Sequence, residues 1–266
     1  MRRLFGWSLA ALMIAVVGTT QAAEKTETRN TFTFGALTGT AEKAARRQAY
    51  SWLQKTGKLN DATRTAFNKL WAQKDLSVLD RVSGTFEIGD VNVATMLTAA
   101  RDETAAAPTS VPKILEDTTK PEFFRANLAL AYAKSLSNRK VYEESLAALI
   151  KFKPEQVVDP ATYLFHRAVA EHAMLQKKEA TGTITRLLDD VPYAPERYKM
   201  VATLMFFDMS SWKAKDLSAI SRMMKNIERR LDLARGGQKT QEMQKKVVLR
   251  LDEIIKELEN AQSGGT

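Results

Sequence analysis

The chain contains no cysteine. Disulfides, thiolate metal sites and cysteine nucleophiles are excluded, so packing alone must hold the fold. Histidine is almost as scarce, with only His166 and His172. Six residues apart on a helix, they differ by about 240° in direction and do not share a face. A helical zinc pair needs a spacing such as four, as in His-Glu-x-x-His. Glycine (12) and proline (7) are few in 266 residues, too few for the turns of a sandwich or barrel. There is no Gly-rich phosphate loop and no Gly-x-Ser-x-Gly elbow. Asp189-Asp190 is the densest acidic point, and it sits at an expected helix end, bordering a turn. These absences leave no catalytic constellation, no cofactor motif and no metal set. The expectation is a protein that is not an enzyme.

Apolar residues make up 44 % of the chain, ample for a core, and the pattern that carries them is helical. The N-terminus reads as a secretory signal. Arg2-Arg3 precede the apolar run Leu9–Val17, and Thr20-Gln21-Ala22 places small residues at the cleavage positions. Cleavage after Ala22 and export by the Sec route to the periplasm or another extracytoplasmic space are expected. Retention as an anchor is the alternative. The run falls short of the ~20 residues that span a bilayer, so no stable span is expected after cleavage. Without Arg2 and Arg3 the chain keeps 38 basic against 31 acidic residues, a net charge near +7. The basic residues interleave with acids through every expected helix, as on a solvated surface. An exported protein of this kind points away from nucleic acid.

Residues 23–39 read as a flexible linker, with a short extended piece at Phe32-Thr-Phe34-Gly35. An N-terminal helical subdomain spans 40–104. Its helices run from about Ala41 to Lys55 with Gly57 as stop, from Asn60-Asp61, after Asp75, and after Asp90. Residues 105–121, with Pro108, Pro112 and Pro121, read as a linker around one helical turn. Helical hairpins fill 122–212. Asp159-Pro160 opens one of their helices as N-cap and N1, and Pro195 opens another. A C-terminal antiparallel pair spans 213–260. Leu217, Ile220, Met223, Met224, Ile227 and Leu231 are expected to face Val247, Val248, Leu251, Ile254, Ile255 and Leu258, with Gly236-Gly237 as the stop between them. Residues 261–266 read as a disordered tail.

Residues 126–160 and 161–195 align at an offset of 35. Ala133 falls on Ala168, Ser145 on Ala180, Leu149 on Ile184 and Phe152 on Leu187. A period in the mid-thirties means stacked helical hairpins. The segment resembles tetratricopeptide repeats. The small-residue slots hold Ala133 and Ser145, then Ala168 and Ala180, and Pro192 fills the proline slot of the second unit. Val157 replaces that proline in the first unit, and Leu164 and Glu171 stand where the family has aromatic residues. The resemblance implies a right-handed solenoid whose first helices line a groove. The lining carried over is Asn127, Leu130, Lys134 and Ser137, then Thr162, Phe165, Val169 and His172. Separately, the run from Arg229 to Glu259 is similar to a helical hairpin in exported planctomycete proteins of unassigned function, which implies a bacterial extracytoplasmic setting and no activity.

The expected fold is all-α: stacked antiparallel hairpins with a C-terminal helical pair. The expected function is a non-catalytic scaffold or adaptor that binds a protein or peptide partner in the periplasm or cell envelope. Its candidate binding residues are Asn127, Leu130, Lys134, Phe165, Val169 and His172. The alternative is a module that binds an anionic envelope component through its basic surface. Met200, Met205, Met209, Phe206, Phe207 and Trp212 form a soft apolar region, read as core or as an adaptable groove.

Overall fold

The computed structural model describes residues 34–213 and 215–263. The expected signal peptide, its cleavage site, residues 23–33 of the linker and residues 264–266 of the tail lie outside them. The described elements are helices α1 (Glu42–Lys55), α2 (Asp61–Ala72), α3 (Val78–Gly89), α4 (Val91–Arg101), α5 (Glu122–Asn138), α6 (Tyr142–Leu149), α7 (Pro160–Ala173), α8 (Lys177–Asp190), α9 (Glu196–Ser210), α10 (Leu217–Asp232) and α11 (Gln238–Ser263). Two 3-10 turns, Lys113–Leu115 and Pro154–Gln156, complete the set, and no strand occurs among the described residues.

The starts follow from cap chemistry. Asn60 and Thr63 close a reciprocal capping box on α2. Asp90, Asp159 and Asp216 accept from the first-turn amides of α4, α7 and α10. Helix α3 begins later than Asp75 suggests, because Ser77 takes the cap and accepts from the Asp80 amide. Gly57 ends α1 with φ 72°, as its position predicts. The stop after α10 differs from expectation. The left-handed residue is Ala234 (φ 55°), not Gly236 or Gly237. The Arg235 amide reaches back to the Arg230 carbonyl at 2.8 Å, and this closure is complete before the glycines. Helix α11 continues through residues 261–263, so that part of the expected tail is helical.

The 35-residue offset reappears in the backbone. Lys140 and Leu175 are 35 apart and both left-handed, with φ 61° and 62°. Each closes its hairpin in the same way: the Val141 amide donates to Leu136 and the Gln176 amide to Glu171, both at 2.9 Å. A non-glycine residue in this conformation costs on the order of 1 kcal/mol. The small residues explain why it is tolerated. Ala133, Ser145, Ala168 and Ala180 are completely buried and let α5 meet α6, and α7 meet α8, at close range. The Ser145 hydroxyl spans the first crossing to the Ala133 carbonyl at 2.9 Å. At the second, Thr183 donates to the buried Glu171 carboxylate at 2.6 Å.

Residues 105–121 do not separate two cores. One cluster runs from Leu37 to Met209. Trp52 stacks on Phe124 at 5.0 Å, and Phe86 meets both edge-on, which joins α1, α3 and α5. Leu115 of the 3-10 turn is fully buried beneath this joint. The end of the expected flexible linker is also ordered. The Gly35 and Leu37 amides donate to the Asp189 and Asp190 carbonyls at 2.9 Å, and the Thr40 amide to Val158 at 2.9 Å. That segment answers carbonyls at the end of α8 that the helix leaves unpaired.

The hairpin α10–α11 has its own small core of Ile220, Ile227 and Val247. Charge fastens it to the repeat. Arg229 grips Glu143 through both carboxylate oxygens at 2.9 Å. Arg230 also bonds Glu143, and Arg235 bonds Glu144 at 2.7 Å and the Pro108 carbonyl at 2.6 Å. Burial disfavours the charged Glu143, but the Arg229 hydrogen bond and charge, helped by Arg230, outweigh it. They hold the carboxyl down at about 2.

Two expected outcomes test this frame. Ala168→Leu overpacks the crossing and lowers stability by about 1–3 kcal/mol in denaturant titration; an unchanged midpoint would show that residue 168 is not at a close crossing. The lowered Glu143 contributes stability that is complete above pH ~4.5 and fades as pH falls toward ~2, on the order of 3 kcal/mol. Amide exchange in α10 should accelerate through that window. In Glu143→Gln it should already be fast at pH 7.

Candidate functional site

Helices α5 and α7 are the first helices of successive hairpins, α9 follows them, and each of the three packs against the next. One more step of 35 residues carries the expected groove positions onto α9, at Arg197, Met200, Leu204 and Phe207. The three copies of this stripe differ sharply in exposure. On α5, Asn127, Leu130 and Ser137 are buried, and Lys134 is half-buried. On α7, Thr162 is buried, while Phe165, Val169 and His172 are half-buried. On α9, Met200, Leu204 and Phe207 are 65 %, 63 % and 63 % exposed.

Asn127 and Leu130 therefore cannot line an open groove. Asn127 is a structural tie: its amide donates to the Phe123 carbonyl and its oxygen accepts from the Val158 amide, both at 2.8 Å. Leu130 belongs to the continuous core because α3 and α4 pack onto α5 and fill the space a groove would occupy. Lys134 closes this end by pairing with Asp80 of α3 at 2.7 Å.

Beyond Lys134 the surface opens. A cleft of about 330 Å³ is lined by Lys134, Asn138, Phe165, His166, Arg197, Tyr198 and Val201. Phe165 and Tyr198 stack at 4.0 Å and form the wall between α7 and α9. Arg197 has no carboxylate partner among the described residues, and its guanidinium lies 5.2 Å from the centre of the Tyr198 ring. At the far end His172 meets Asp208 of α9 at 2.9 Å, and the Trp212 indole donates to the same carboxylate at 2.9 Å. Lys134, Phe165, Val169 and His172 thus lie along one path beside the exposed stripe of α9.

His166 is the unusual member. It is buried, and its Nδ1 has no hydrogen-bond partner among the described residues. Burial lowers its pKa, the Lys134 and Arg197 charges add to the effect, and it falls to about 4. The ring is neutral at neutral pH and can give or take one hydrogen bond.

The open stripe on α9 was legible only by carrying the period once more through a degenerate unit. The soft apolar region divides accordingly. Met205 and Met209 are core, while Met200, Phe206 and Phe207 are exposed.

A second feature lies at the other end of the chain. A cleft of about 750 Å³ between α1 and α2 is lined by Lys43, Arg46, Arg47, Tyr50, Ser51, Gln54, Arg64, Phe67 and Asn68. It contains four cations and no acid. Arg46 is held by Asn68 at 3.0 Å, and Lys43 and Arg47 have no ion-pair partner among the described residues. The spacing of 43, 46 and 47 on one helix face is the sequence signal for it.

Among the described residues no cluster of acidic and histidine side chains could hold a metal ion, and no helix is long and apolar enough to cross a membrane. Comparison of the chain with family models, with curated proteins and with solved structures finds no match.

The depressed His166 has a measurable consequence. The neutral ring contributes stability that is complete above pH ~6.5 and is lost as pH falls toward ~4, on the order of 3 kcal/mol. His166→Phe should remove that part of the pH dependence. A titration of His166 near 6.5 by NMR would contradict the burial.

Proposed function

We propose that this chain is a non-catalytic, exported helical-repeat scaffold of tetratricopeptide-like architecture, which binds a protein partner in the bacterial periplasm or envelope. The observation that carries this reading is the stripe Met200, Leu204 and Phe207, about two-thirds exposed at register positions that are buried or half-buried in the two preceding hairpins. Three large side chains on one face of a terminal helix supply apolar anchors. The neutral His166 and the unpaired Arg197 stand beside them, where an acceptor or acidic group of the partner would be recognised. Methionine adapts to varied surfaces, which suits an adaptor. The absence of a nucleophile–base pair in the sequence is what favours binding over catalysis.

Photo-crosslinking in cells tests this. A crosslinker placed at Leu204 should capture a discrete partner, and one at the exposed Lys178 of α8 should not. Leu204→Asp with Phe207→Asp should abolish capture by a probe at Val201 and leave helicity and the melting temperature unchanged. Equal capture at Lys178, or undiminished capture in the double variant, would refute the proposal.

The acid-free cleft between α1 and α2 supports a second reading, recognition of an anionic envelope polymer. Heparin serves as the probe. Its binding would fall steeply with salt, since exposed charges are screened within about 10 Å at 0.1 M, whereas capture by the α9 stripe would hold. Loss of heparin binding in Arg46→Glu with Arg47→Glu would favour this second reading.

A further inference from the structure

Helix α11 carries two heptad seams side by side. The first holds Thr240, Met243, Val247, Arg250, Ile254 and Glu257, and its apolar members pack on α10. The second lies one residue later and holds Gln244, Val248, Leu251, Ile255 and Leu258. The better seam is the one turned to solvent. The inward seam is interrupted by Arg250, which bonds the Lys215 carbonyl and Glu257. From Val248 to Leu258 the outward seam is wholly apolar. Val248, Ile255 and Leu258 are 57 %, 52 % and 60 % exposed. Helix α10 contributes a matching row at steps of seven, Leu217, Met224 and Leu231, all exposed. Met224 and Leu231 share a groove of about 450 Å³ with Ile227, Val247 and Val248, which places the two rows on one face of the hairpin.

We propose that a second copy of this chain covers this face, with the two α11 helices parallel across a two-fold axis. Two arguments lead there. The seven side chains Leu217, Met224, Leu231, Val248, Leu251, Ile255 and Leu258 leave on the order of 600 Å² open, the upper end of what a monomer ordinarily exposes in one patch, and with flanking polar groups this approaches the ~800 Å² that each partner of a stable dimer buries. β-Branched Val248 and Ile255 alternate with Leu251 and Leu258 in the order that favours two parallel strands. Residues 23–33 (AEKTETRNTFT) hold no run of large apolar residues and do not complement the seam. This face is separate from the α9 stripe, and the proposal does not depend on the function assigned to that stripe.

Light scattering on the whole chain, and on the form beginning at Ala23, should give twice the subunit mass, which is 29.7 kDa for the whole chain. Leu251→Asp with Ile255→Asp should give a monomer of unchanged helicity. Because the chain has no cysteine, single substitutions report orientation. Leu258→Cys should link two copies under mild oxidation, and Glu253→Cys, on the far side of the seam, should not. A wild-type monomer at ~50 µM overturns the proposal. So does a dimer seen only in the form beginning at Ala23, which would give the face to residues 1–22. Linkage at residue 253 as fast as at 258, or a dimer that survives the double aspartate variant, also overturns it.

Discussion

The close crossing of paired helices at Ala133, Ser145, Ala168 and Ala180 is the constraint from which the rest of the arrangement follows. Small side chains bring the two helices of each hairpin together closely enough for Ser145 to bond a carbonyl of the opposite helix. That distance forces a tight reversal, and the left-handed Lys140 and Leu175 are its consequence. Identical reversals at an identical interval set α5, α7 and α9 in succession. The face each presents is then decided by what lies against it: α3 and α4 cover α5, and nothing described covers the stripe on α9.

Charge performs a different task from packing. The core from Leu37 to Met209 is continuous and held chiefly by packing. The hairpin α10–α11 shares little of it and is held by Arg229, Arg230 and Arg235 around Glu143 and Glu144. The carboxylate–guanidinium geometry is directional, so it orients the hairpin as well as attaching it. An apolar docking of equal strength would leave the hairpin freer to rotate. The orientation matters because the hairpin keeps one apolar face turned away from its own seam.

Two unpaired apolar faces and one acid-free cationic cleft therefore stand on this molecule. Each arises where a repeating pattern runs out of neighbours. The α9 stripe is the end of the hairpin series, and the second seam of α11 has no third helix. Terminal repeats usually carry a polar outer face for solubility. The retention of Met200, Leu204 and Phe207 at such an end is what makes a binding role the most economical account.

Helices, their caps and the 35-residue period were written in the chain, because each depends on residues within a few turns of one another. Asp159 before Pro160, Asn60 three residues before Thr63, and small residues at a fixed interval need no tertiary information. The exclusion of cysteine and zinc-pair chemistry has the same local origin. Which face of each helix stays open was not local. Leu130 and Met200 fall on the same stripe of the repeat, yet one is buried and the other exposed, because α3 and α4 return to cover the first and nothing described returns to cover the second. The break at 105–121 looked like a boundary by composition, and only the stacking of Trp52 on Phe124 joined its two sides. The sequence by itself determined that hairpins form and repeat. The tertiary structure alone decided which of their apolar positions became core and which stayed exposed, because burial depends on helices distant in sequence.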